Sequence, residues 1–179
     1  MNKIIITEEM IAAANDYLPN AVKEEWVSET AAKCFNRLAI TADDEEMPPM
    51  YMVNEGLRRR YLMKAFADLY MKQRTNADVK DDALMDEEDF DRWVGSHVFE
   101  QLQRMKHIVA VRDKCYDILA DFKDLEKRLS SQLSGLLAVQ NDFVLRQSQY
   151  TATQMKELPQ VLQALQDYQA VRGDVRNGD

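Results

Sequence analysis

The chain has 179 residues, a mass of 20.8 kDa and a formal net charge of −8, with a pI near 4.9. This size allows one domain, or a small domain with an extension, and a core that needs no covalent staples. The negative balance argues against direct nucleic-acid binding, whose affinity comes from Lys and Arg displacing counterions. No apolar run reaches the roughly 18 residues of a membrane span.

The first residues, Met1 to Ile6, carry one positive charge and only three large apolar side chains before Thr7-Glu8-Glu9, too few for a signal-peptide core. A soluble protein of the cytoplasm, or of a particle assembled there, is therefore expected. Ile4-Ile5-Ile6 is the best strand candidate, with His107 to Arg112 as the segment that could pair with it. Thr7 is expected to cap a first helix that places Glu8 and Glu9 in its first turn, Met10, Ile11, Ala14 and Leu18 on one face, and ends at Pro19. Asn20 then caps a second helix, in which Val22, Trp26, Val27, Ala31, Cys34, Phe35 and Leu38 recur at three- and four-residue steps.

Thr41 to Pro49 is acidic and closes on two prolines, so it reads as a loop. A third helix follows from about Asn54 to Gln73. Val53, Leu57, Tyr61, Leu62, Ala65, Phe66, Leu69 and Tyr70 form its apolar stripe, and Arg58, Arg59, Arg60, Lys64, Lys72 and Arg74 its basic side. Acidic segments bracket it: Asp43-Asp44-Glu45-Glu46 carries −4, and Asp78 to Asp91 holds eight acids against Lys80, which leaves the rest of the chain net positive. Thr75 to Met85 reads as a polar connection. Asp86 caps a fourth helix with Phe90, Trp93, Val94, His97, Val98, Leu102 and Met105 facing inward, weakened in its middle by Gly95.

From Ile108 the spacing becomes heptad-like. One seven-residue series runs Ile108, Cys115, Phe122, Leu129, Leu136, Phe143, Tyr150; the interleaved series runs Val111, Ile118, Leu125, Gln132, Val139, Arg146. Such a pattern predicts a long helix or a helical hairpin whose seam, Ile108, Val111, Cys115, Ile118, Phe122, Leu125, Leu129, Leu136, Val139 and Phe143, packs on other helices. Gln132 and Arg146 interrupt the seam, Leu119, Leu133, Leu137 and Val144 widen it, and Ser130 to Gly135 offers a break. A bundle helix and a coiled coil both fit. Pro159 suits the first turn of a last helix carrying Val161, Leu162, Leu165 and Tyr168. The expected architecture is thus all-α: a helical bundle with a head over 1–105, a packing or oligomerisation region over 106–172 and a tail over 173–179.

Chemistry-bearing motifs are missing. The phosphate-cradling and nucleophile-elbow glycine patterns do not occur. Cys34 and Cys115 stand far apart and read as ordinary thiols rather than as a disulfide or zinc pair. His97 and Glu100 lie one helical turn apart, but a bundle di-metal site repeats a Glu-x-x-His order and needs further carboxylates, so a half-buried histidine beside a Glu100–Arg104 surface pair is the plainer reading. Asp78 to Asp91 lacks the central glycine of a calcium loop. Arg58, Arg59 and Arg60 point around a helix and suit pairing with the acidic segments better than a grip on one phosphate backbone.

The sequence therefore implies no cofactor, metal or small-molecule substrate, and favours a non-enzymatic interaction or assembly protein whose partner is another protein or a second copy. An alternative is a small acidic inhibitor, of the phage or mobile-element anti-defence kind, that fills a basic groove on a nucleic-acid-binding enzyme. Its contact candidates are Asp86, Glu87, Glu88 and Asp89, joined by Met47 and Met50 beside the prolines. A helical enzyme using His97, Glu100 or the acids near Asp86 is a third reading.

Overall fold

A computed structural model describes residues 3–37, 50–73 and 84–174, with side chains described through Tyr150. Met47, the acidic stretch 43–46, the start of the second acidic segment and residues 175–179 lie outside the described residues. The chain divides into two units, Met1–Leu136 and Leu137–Asp179. The protein is mostly helical, with one small two-stranded antiparallel sheet among the described residues.

Helix α1, Glu8–Ala13, begins where Thr7 Oγ1 accepts the Met10 N–H at 3.2 Å. It ends before Pro19, and Ala14 and Leu18 are nonetheless buried. Helix α2, Asn20–Ala31, starts at the expected place, but Pro19 is its cap residue. Asn20 does not cap; its side-chain oxygen accepts instead from Arg128, at 2.9 Å. The buried stripe of α2 is Lys23, Val27, Thr30 and Ala31, whereas Val22 is exposed.

The second helix does not continue to Leu38. A 3-10 turn, Ala32–Cys34, leads into strand β1, Phe35–Arg37, which pairs with β2, Tyr51–Val53, in the register Phe35 to Val53, Asn36 to Met52 and Arg37 to Tyr51. Phe, Tyr and Val suit a pleated surface better than a helix end. The Asn54 N–H donates to the Cys34 carbonyl at 2.7 Å, and the Asn54 side chain then accepts from Leu57 N–H at 3.0 Å to cap α3, Glu55–Ala65. One residue thus ends the sheet and starts the helix. Helix α3 widens its partner spacing into a π turn over Phe66–Tyr70, where the Met71 N–H donates to the Phe66 carbonyl five residues back. Asn15 closes that end: its backbone N–H donates to the Tyr70 carbonyl at 2.8 Å and its side chain to the Leu69 carbonyl at 2.7 Å.

Ile4 to Ile6 forms no strand, and His107 to Val111 is a turn rather than its partner. Side chains do the work of a neighbouring strand. The Ile4 N–H donates to Ser96 Oγ and the Ile6 N–H to Gln101 Oε1, both at 2.8 Å, while Gln101 Nε2 donates to the Ile4 carbonyl at 2.9 Å. Ile6 is thereby buried without a ladder.

The fourth predicted helix is two: α4, Glu87–Gly95, and α5, Val98–Met105. Gly95 weakens the helix, and His97 adopts a left-handed backbone at φ 53° that re-aims the chain. That turn exposes His97 and Val94 rather than burying them. Helix α6 runs Arg112–Asp174 without a hairpin, so Ser130 to Gly135 does not break it and Pro159 lies within it rather than starting a new helix. Ser130 keeps its hydroxyl satisfied by donating back to the Glu126 carbonyl at 2.9 Å. Ile108 falls before the helix, in the turn.

The core of the first unit is aromatic at its centre. Phe66, fully buried, has ring centroids of Phe99 at 4.6 Å, Phe122 at 5.2 Å, Trp93 at 6.1 Å and Tyr70 at 6.3 Å. Each such side chain contributes about 1.5–3 kcal/mol by burial alone. Among the described residues no helix is long and apolar enough to cross a membrane.

Candidate functional site

Three features of the described residues combine unusual chemistry or exposure: a buried charge network, an aromatic groove and the open face of α6. The network centres on Asp121 of α6, which is almost wholly buried. Asp121 Oδ1 pairs with Lys23 Nζ; Asp121 Oδ2 accepts from Tyr70 Oη at 2.9 Å and from the Leu18 N–H at 3.0 Å. Lys23 also donates to Asp124 Oδ2 at 3.0 Å and sits 5.0 Å from the centre of the Tyr17 ring. Asp124 in turn takes Arg128 Nε at 2.8 Å.

Burial disfavours the Lys23 ammonium, but its hydrogen bonds to Asp121 and Asp124 outweigh that cost and hold its pKa above the ordinary 10.5. Burial, then the hydrogen bond to Asp121, pushes the Tyr70 phenol far up. Lys23 and Arg128 hold Asp124 below its ordinary 3.8. Each member has at least one hydrogen-bond partner within the network. The network ties α2, the π turn and α6 together.

It does set pH limits on stability. A carboxyl whose folded pKa is depressed stabilises the fold above its unfolded pKa and loses that contribution as pH falls through the folded value. Lys23, raised, contributes below its unfolded pKa and loses it as pH rises through the folded one. Asp124→Asn is therefore expected to flatten the acid side of a melting-temperature profile below about pH 4 and, by removing one of the two carboxylates that raise Lys23, to weaken the alkaline contribution as well. Thermal melts across the acid and alkaline ranges check this.

The groove, of about 410 Å³, is floored by Leu62, Met63, Trp93, Val98, Phe99 and Phe122 and rimmed by Arg59, His97, Glu100 and Glu126. All four polar residues stand at the rim. His97 Nδ1 lies 3.2 Å from Glu100, and Glu100 lies 3.9 Å from Arg104, so the expected surface pair is present with an exposed histidine beside it. Among the described residues no group of three or more metal-ligating side chains comes together.

The acidic candidates share the start of α4 but have different partners. Asp86 caps α4 by accepting from the Asp89 N–H at 2.7 Å, Asp89 pairs with Arg92, and Glu87 lies 3.8 Å from Arg60. Glu88 is exposed, and Met50 is half-buried just before β2. The three arginines do diverge: Arg58 reaches Glu55 at 2.9 Å and Ser130 at 2.8 Å, Arg59 joins the groove rim, and Arg60 donates to the Met85 carbonyl at 2.8 Å.

Along α6 the seam residues fall into two sets. Val111, at the helix entrance, and Cys115, Ile118, Phe122, Leu125 and Leu129 are buried in the core of the first unit, joined by Leu133; Ile108 packs partly against them. Leu136 is 38% exposed at the end of that unit. In the second unit Val139 is 69%, Phe143 58% and Tyr150 66% exposed. Burial raises the Cys34 thiol pKa to about 11 and also raises that of Cys115, so both cysteines are inert core groups.

The Lys23–Asp121–Tyr70 network has no counterpart in the sequence reading. Its only trace there is a charged residue four before Val27 and another beside Phe122, both at positions flanking apolar stripes. No family model, curated protein or solved structure matches this chain.

Proposed function

We propose that this chain is a non-enzymatic interaction and assembly protein, which uses the exposed apolar face of α6 to pack against another helix in coiled-coil fashion. One observation carries the reading. Val139, Phe143 and Tyr150 follow the seven-residue spacing of the buried seam, yet stand 58–69% exposed. Large apolar side chains gathered on one helical face can be covered together by one partner, and each stabilises a docked helix by up to about 1.5–3 kcal/mol when covered.

The occupant is a second copy of the chain. Self-association of a protein with net charge −8 meets electrostatic repulsion, but the stretch 137–150 holds one acid, Asp142, and one base, Arg146, paired with each other at 2.9 Å. The flanking seam neighbours Gln140, Gln147 and Gln149 add no charge. This is a neutral, apolar strip on an acidic protein, suited to meeting itself.

Sedimentation of the full chain tests the reading. The wild type is expected to associate with rising concentration, and Val139→Asp with Phe143→Asp to remain monomeric with an unchanged circular-dichroism melt at dilution, since both sites are exposed. A wild type that stays monomeric at every concentration overturns the proposal.

A further inference from the structure

The four seam positions of the second unit have a property that the pairing itself must respect. Val139, Phe143, Arg146 and Tyr150 are spaced four, three and four residues apart, so the series reads the same in both directions. Reversing one helix maps the set onto itself, Val139 against Tyr150 and Phe143 against Arg146. Keeping both helices parallel and in register instead sets each residue against its own copy. That would place Arg146 against Arg146 inside the seam, two like charges being desolvated together.

From this we infer that two copies of α6 pair antiparallel over residues 139–150, with Arg146 of each helix lying across the Phe143 ring of the other. The inference rests on the self-association proposed above and adds its direction and register. In this arrangement the guanidinium, 77% exposed in the single chain, gains a ring face and lies beside the other helix's Asp142, one residue from that Phe143. Each helix supplies both halves of the contact, so the symmetry is closed and the interface is isologous. Val139 and Tyr150 then cover one another at the two ends, and the glutamines at 140, 147 and 149 flank the seam without selecting a charged partner. A single polar residue in an apolar seam is a known means of fixing orientation, and Arg146 fills that role here.

Disulfide trapping in the full-length protein tests this. Cys34 and Cys115 are buried and can remain. Val139→Cys and Tyr150→Cys are made separately, mixed, allowed to exchange and mildly oxidised. The expected result is a crosslinked species that contains one chain of each kind, with neither variant crosslinking when oxidised alone. A Val139→Cys protein that crosslinks to itself shows parallel pairing and overturns the inference while leaving self-association intact. The same is true of a protein that sediments as a dimer yet yields no mixed crosslink. A protein that sediments as a monomer overturns both the inference and the reading beneath it. Melting curves of each variant beside the wild type confirm that any missing crosslink is not a folding defect.

Discussion

Asp121→Ala is expected to be among the most destabilising single substitutions in this protein, costing about 3–5 kcal/mol, because it removes one partner of a buried pair and leaves the others in place. Three donors lose their acceptor together: the Lys23 ammonium, the Tyr70 hydroxyl and the Leu18 N–H. Lys23 keeps Asp124 at 3.0 Å, which holds the cost below that of a fully orphaned buried charge. For a chain of this length the loss corresponds to a melting temperature lower by about 10 °C. Denaturant melts with one further variant separate the causes. Lys23→Met with Asp121→Leu and Tyr70→Phe removes the charges and hydroxyl together and is expected to recover most of the stability, since a buried ion pair is about neutral against well-packed apolar groups. If Asp121→Ala melts with the wild type, the network contributes nothing and the three elements are held by apolar packing alone.

That network marks the boundary of what sequence pattern could reveal. Three- and four-residue spacing placed α1, α3 and the N-terminal part of α6, and the capping residues Thr7 and Asp86 were readable because each cap is a local event within four residues. Lys23 and Asp121 are separated by 98 residues, and each taken alone belongs on the surface; only the fold makes them partners. The strands escaped for a different reason. Three residues on each side are too few to show alternation, and Phe35 also satisfied the helical spacing of α2. Ile4 to Ile6 had the composition of a strand, but Gln101 and Ser96 supplied its hydrogen bonds from a helix and a turn, an arrangement no periodicity encodes.

The left-handed turn at His97 was half visible. Gly95 pointed to weakness there, yet the reversal is taken by a histidine two residues later, and that shift decides that Val94 and His97 rim a groove instead of filling a core. For α6 the limit is one of principle. Apolar periodicity says that a face will be covered and cannot say by what. Up to Leu133 the cover is the chain's own core; at Val139, Phe143 and Tyr150 the side chains are open. The same spacing serves both, so no reading of the pattern distinguishes them.

Two phenylalanines make that distinction measurable. Phe66→Ala is expected to cost about 3–5 kcal/mol, because it empties the centre of a ring cluster that touches Trp93, Phe99 and Phe122 and leaves a cavity the neighbours fill only in part. Phe143→Ala removes the same atoms from a site 58% exposed, so at high dilution it is expected to change stability by about 0.5 kcal/mol or less. Its effect should be concentration-dependent instead, with self-association weakened about tenfold or more, equivalent to about 1.4 kcal/mol. Chemical denaturation repeated over a range of protein concentrations reads both quantities. The Phe66 variant then shifts by the same amount throughout, while the Phe143 variant departs from wild type only where the wild type associates. Were Phe143→Ala to lower stability at dilution as far as Phe66→Ala does, Phe143 would be a core residue of the single chain. The assembly reading would then have lost the exposed face on which it stands.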